Sequence, residues 1–127
     1  MVNSFFAVVV GGALGCLLRW GLGLSLNLLF PAIPPGTLAA NLIGGYLVGV
    51  AFAYFGAHPE LPAHWRLFVI TGFLGGLTTF SSFSAEIVQL LRTERPALAA
   101  IAVTMHLGGS LLLTAAGIVT VGFFRGR

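Results

Sequence analysis

The sequence predicts an all-α membrane protein with four transmembrane helices, and three observations carry that prediction. Hydrophobic residues make up 57% of the 127-residue chain and charged residues only 7%. A soluble domain carries about 25% charged residues, so this chain cannot cover a water-facing surface. Mean hydropathy is +1.02. The apolar residues also fall into four runs, each near the roughly 20 residues a helix needs to cross hydrocarbon, divided by clusters of turn residues.

The first run, Asn3 to Leu26, follows an N-terminus without the basic stretch of a signal peptide, so it is expected to be retained as a helix. Pro31 and Pro34-Pro35-Gly36 separate it from the second, Thr37 to Phe55, with Thr37 read as the N-cap. Gly56 to His64, with Pro59 and Pro62, leads to the third run, Arg66 to Leu91. Thr93-Glu94-Arg95-Pro96 leads to the fourth, Ala97 to Phe124, with Pro96 suited to a helix start. The loops are too short to form a domain outside the membrane, so residues 1–127 read as one four-helix unit.

Charge and cysteine content exclude several classes. The net charge is +3, but the basic residues are all arginines, most of them near the ends of apolar runs. That is headgroup anchoring rather than a stripe for a nucleic acid. Cys16 is the single cysteine, so there is no internal disulfide and no thiolate metal site; its place in the first run suits a small apolar filler. No P-loop is present, and no serine has a base beside it, so the chain is not read as an enzyme.

Four spans put both termini on one side. That side, with the second loop, holds three arginines, Arg66, Arg125 and Arg127, and the other holds Arg92 and Arg95, joined by Arg19 if it snorkels. Orientation follows this kind of count, and here the bias is close to zero. The balance allows insertion both ways up, hence an antiparallel pair; the alternative is one orientation set by weak cues such as the free amino group. Gly11-x-x-x-Gly15, Gly45-x-x-x-Gly49 and Gly72-x-x-x-Gly76 let helix backbones approach closely in lipid. A bundle so small hardly encloses a polar route alone, which argues for an oligomer.

The third run carries the most unusual segment, Gly75-Gly76-Leu77-Thr78-Thr79-Phe80-Ser81-Ser82-Phe83-Ser84. It places two glycines, five hydroxyls and two phenylalanines at membrane depth. Polar groups are tolerated there only where they line a cavity or are buried in protein. Two readings stand: a third helix broken near Gly75 to Thr79, exposing carbonyl oxygens suited to a small cation, or an unbroken helix with the glycines as packing notches.

Phe80 and Phe83 are three apart and share a helical face with Ser84. They serve either as filler or, with Ser81 and Ser84 as donors, as ring edges for a small anion, the rim of a phenyl ring being electropositive. Asn41 is the strongly polar residue deep in the second run, either interhelical glue or a ligand donor. His106, Ser110 and Thr114 recur every four residues as a polar stripe, unless each hydroxyl bonds back to its own helix. Arg19 and Glu86 are the charges nearest membrane depth, read as vestibule residues or as interfacial anchors.

These residues resemble the Fluc/CrcB fluoride channels over essentially the whole chain. The resemblance rests on Gly11-Gly12-x-x-Gly15-x-x-x-Arg19, on the Pro-Pro-Gly-Thr run ending at Asn41, and on Gly75 to Ser84. It implies a dual-topology homodimer in the cell membrane (the inner membrane of a Gram-negative cell), with two antiparallel pores along the interface and passive, selective export of fluoride. On matching positions it implies Phe80 and Phe83 as the aromatic pair along the ion path and Asn41 projecting into the pore. Ser110 and Thr114 become a polar track with His106 beside it, and Arg19 lines the vestibule. The carbonyls of Gly75 and Thr78 are implied to hold a structural sodium ion on the dimer axis. Ser82 stands where relatives often have Thr, which keeps the hydroxyl. Two rivals remain: a small proton-coupled multidrug-type exporter, disfavoured because the first run has no membrane-embedded glutamate, and a non-transporting assembly subunit whose glycines and serines are helix glue.

Overall fold

A computed structural model describes residues 1–126; Arg127, counted in the charge balance, lies outside them. Four helical spans are long and apolar enough to cross a membrane: Val2–Leu29, Pro35–Ala57, Ala63–Arg92 and Pro96–Arg125. They are referred to below as the first to fourth spans. The second begins at Pro35, with Pro34 as its cap, so Thr37 lies inside the first turn and is not the N-cap. Proline at the first helical position dispenses with an amide that has no intrahelical partner, which moves the start two residues upstream of Thr37. Pro96 opens the fourth span in the same way.

The spans pack chiefly as two pairs, the first against the third and the second against the fourth, and the first also touches the second. Close approach at glycine makes both pairs possible. A Cβ on Gly15 would collide with the backbone carbonyl of Phe73, and one on Gly76 with that of Gly12. Across the other pair, a Cβ on Gly49 would meet the carbonyl of Thr114, and one on Gly117 that of Tyr46. With no hydrophobic force between helices in lipid, such backbone proximity supplies the van der Waals contact that holds them. A small buried cluster of Ala40, Ala51, Leu74 and Leu77 lies between the second and third spans.

The third span is not uniform. After an α-helical turn, Leu67–Leu74 is π-helical and Gly75–Leu77 α-helical. Thr78 (φ −83°, ψ 154°) and Thr79 (φ −149°, ψ 114°) are extended, and the α-helix resumes at Phe80. Gly75 and Gly76, which the sequence reading included in the interruption, are helical; the extended residues are the two threonines that follow. Thr79 caps the new helix by accepting the Ser82 amide at 3.1 Å. A second π-helical segment, Thr104–Gly108, lies mid-way along the fourth span and carries His106.

Candidate functional site: an uncharged polar cavity at the two-threonine step

Hydrogen bonds from neighbouring spans hold the step at Thr79 and at Gly76. The Asn41 Oδ1 accepts the Thr79 amide at 2.7 Å, and its Nδ2 donates to the Thr79 carbonyl at 3.0 Å. One side chain of the second span thus replaces the helical acceptor that the Thr79 amide lacks and adds a donor at its carbonyl. The Arg19 Nε, from the first span, donates to the Gly76 carbonyl at 3.0 Å. Such substitution is what buried backbone requires where the intrahelical ladder stops.

Two carbonyls at the step lose their helical donors in the process. The amide that would close an α-turn onto Gly75 is that of Thr79, which bonds Asn41. The one that would close onto Thr78 is that of Ser82, which bonds the Thr79 hydroxyl.

Beside the step lies a cavity of about 370 Å³. Its wall brings together eight residues singled out from the sequence: Asn41, Gly75, Thr78, Phe80, Phe83, His106, Ser110 and Thr114. Among the described residues, no charged side chain lines it. Phe80 and Phe83 have ring centroids 5.6 Å apart, tilted by 60°. Phe83 stacks on the His106 ring at 4.8 Å and 29°. With one face covered by imidazole, Phe83 has its rim and other face left for the cavity. Phe80 is 76% exposed within the single chain.

The polar stripe of the fourth span faces this cavity, but its members differ. Thr114 donates its hydroxyl to the carbonyls of Gly45 (2.9 Å) and Ser110 (2.8 Å), so its proton is engaged and its oxygen remains. The Ser110 hydroxyl makes no hydrogen bond among the described residues. His106 is buried, with Nδ1 3.1 Å from the Asn41 Nδ2 and Nε2 without a partner.

The two remaining serines lie outside the wall. Ser84 donates back to the Phe80 carbonyl at 2.8 Å. The exposed Ser81 places its hydroxyl 3.3 Å from that of Thr79.

Arg19 and Glu86, grouped together from the sequence, face different recesses. Arg19 lines one of about 340 Å³ with Asn27, Thr37, Thr79 and Ser82. Glu86 lines another of about 600 Å³ with Gln89, Thr93 and Arg95. Thr37, buried in the first turn of the second span, lines the Arg19 recess.

Thr79, which the sequence analysis named as one end of a possible break, was not singled out as a wall residue. It lines both the Arg19 recess and the central cavity, so it is their shared wall. The available signal was local: a threonine three residues before Ser82, ahead of a helical run, is an N-terminal pattern.

Four apolar spans, three of which line an uncharged cavity that carries amide, imidazole and hydroxyl groups, define a multi-pass membrane protein. Residues 6–118 match the model of the family described as "CrcB-like protein, Camphor Resistance (CrcB)", and the chain belongs to that family. A relative from Pseudomonas putida (strain W619) is 56% identical over 127 residues, covering 100% of both chains. Relatives from Nitrosomonas europaea (58% over 125 residues, 98% of each chain) and Chromobacterium violaceum (60% over 127 residues, 98% of this chain and 99% of the other) are similar. All three are named fluoride-specific ion channel FluC.

Proposed function

We propose that the chain forms a passive, fluoride-selective channel in the cell membrane and is not an enzyme. The observation that carries the reading is the composition of one cavity wall: amide, imidazole, hydroxyl and paired phenyl rings, with no charge, beside a backbone step held by Asn41. Full-length relatives with the fluoride-channel name support it.

Fluoride crosses by exchanging water for donors in sequence. From the Arg19 recess, where the guanidinium raises the local anion concentration, it passes Thr79 into the central cavity. There the Ser110 hydroxyl and the rims of Phe80 and Phe83 take the place of its hydration shell. A series of partially favourable sites allows both entry and exit. No step needs an energy source.

The functional unit is an antiparallel homodimer with two pores along the interface. The exposure of Phe80, which belongs to the cavity wall yet is open on one side, supports a second copy as the remaining wall. The Gly75 and Thr78 carbonyls fit a structural sodium ion, because both are hard oxygen ligands whose helical donors are engaged elsewhere. Bound there, the ion supplies positive charge that holds those oxygens in place.

The test is efflux from vesicles reconstituted with the purified chain, read with a fluoride-selective and then a chloride-selective electrode. Fluoride leaves and chloride stays. An assembly subunit moves neither ion, and a proton-coupled exporter moves organic cations only when a pH gradient is imposed.

A further inference from the structure

The recess that holds Arg19 has a second polar group of the first span on its wall. Asn27, the last polar residue of that span, lines it with Gly23, Thr37, Thr79 and Ser82. Asn27 follows Arg19 by eight residues, about 12 Å along a helix axis. It lies beside the start of the second span, so an ion coming from the membrane surface meets it before Arg19.

The direction of its amide follows from its partner. Gly36 is the second residue of the second span, where a backbone amide has no intrahelical acceptor, and the cap residue Pro34 supplies no side-chain bond. The Gly36 amide can only donate, so the Asn27 atom 2.8 Å from it is the oxygen. The NH2 therefore turns the other way, over Gly23, where an added Cβ would sit 3.3 Å from Nδ2. It makes no hydrogen bond among the described residues, and it is not enclosed. Among those residues, the His106 Nε2 alone is a buried side-chain atom without a partner, and Asn27 is only half-buried.

We propose that the Asn27 NH2 is the outer donor of the Arg19 recess and holds the incoming anion there by hydrogen bonding. This rests on the channel reading and adds a residue to it. Other donors of the recess are committed. The Arg19 Nε bonds the Gly76 carbonyl and its guanidinium reaches the Cys16 Sγ at 3.8 Å, while the Thr79 hydroxyl donates to Ser82 at 3.0 Å. Arg19 thus supplies field, and the amide supplies donors that break no bond within the protein when an anion takes them. Gly23, with no side chain, leaves that amide uncovered.

The competing account is that Asn27 serves only as a cap, and Asn27→Asp separates the two. Aspartate keeps an oxygen for the Gly36 amide and suits a helix start, but it has no NH2. A cap alone would lose nothing. As an anion donor, N27D keeps the melting temperature of the unaltered chain while fluoride efflux from vesicles at about 5 mM fluoride falls roughly fivefold. The deficit persists in about 1 M sodium isethionate, where the Debye length is about 3 Å and the added charge is screened. Efflux like that of the unaltered chain, or a deficit that vanishes in high salt, overturns the proposal. Absence of fluoride flux through the unaltered chain is instead the failure of the channel reading.

A second arm needs no flux. Asn3, Asn27 and Asn41 are the asparagines of the chain, so nitrogen-15 labelling of asparagine gives three side-chain NH2 signals. The Asn27 signal is identified by its absence in N27D or, if that variant does not fold, in N27S. Sodium fluoride added to the detergent-solubilised protein should shift it, whereas equal sodium isethionate should not, and Asn3 should stay still. An Asn27 signal unmoved by fluoride overturns the proposal whatever the flux variants do.

Discussion

Asn41 uses its amide oxygen and both amide hydrogens on two residues, Thr79 and His106, which belong to different spans. An interhelical hydrogen bond in a bilayer is worth about 0.6 kcal/mol on average, so the geometry such bonds impose counts for more than their sum. Here they hold Thr79 extended and tie it to the imidazole that stacks on Phe83. The two rings carry a separate expectation. Phe80→Ile and Phe83→Ile each keep apolar volume but lose the electropositive rim, and each should lower fluoride efflux on the order of tenfold, equivalent to about 1.4 kcal/mol. Dimer yield in detergent should be unchanged. Efflux like that of the unaltered chain in both variants would remove the rings from the mechanism.

The elements are governed by how near two backbones approach. Gly49 and Gly15 each abut a carbonyl of the partner span, so a side chain there must push helices apart. Gly49→Val should cost about 1–3 kcal/mol as overpacking, seen as a lower melting temperature of the detergent-solubilised protein. Exposed Gly122 sits in the same pair of spans with no atom within 4 Å of an added Cβ. Gly122→Ala should therefore leave stability unchanged or raise it by up to about 1 kcal/mol, because glycine is entropically unfavourable inside a helix. Equal losses in both variants would show that helix propensity, not packing, decides. The Gly49 contact bears on the site as well, since its neighbour Thr114 lines the cavity and bonds Gly45 across the same seam.

For the whole molecule the open matters are orientation and partner. The arginine balance allows insertion in either sense, and the open side of Phe80 is where the proposed second copy would sit. A cysteine added at the C-terminus in a Cys16→Ser background, needed because Cys16 is exposed, should react with an impermeant maleimide from both faces of intact cells and vesicles. Labelling from one face alone would end dual topology while leaving the conduction proposal standing.

Hydropathy and turn residues were enough to divide the chain into four spans, because burial in lipid is written in composition and needs no partner. The period of the stripe was enough to put His106, Ser110 and Thr114 on one face, and the spacing of Phe80 and Phe83 to pair the rings. What the residues touch was not legible. The glycines at positions 75 and 76 looked like the weak point of the third helix, yet they are helical, and Thr78 and Thr79 are the extended pair. The separation of Arg19 from Glu86 and the place of Thr79 as a shared wall were also hidden. Each depends on a hydrogen bond or contact between residues far apart in the chain, such as Asn41 with Thr79 and His106. Local pattern records which groups must be satisfied; only packing in three dimensions chooses the group that satisfies them.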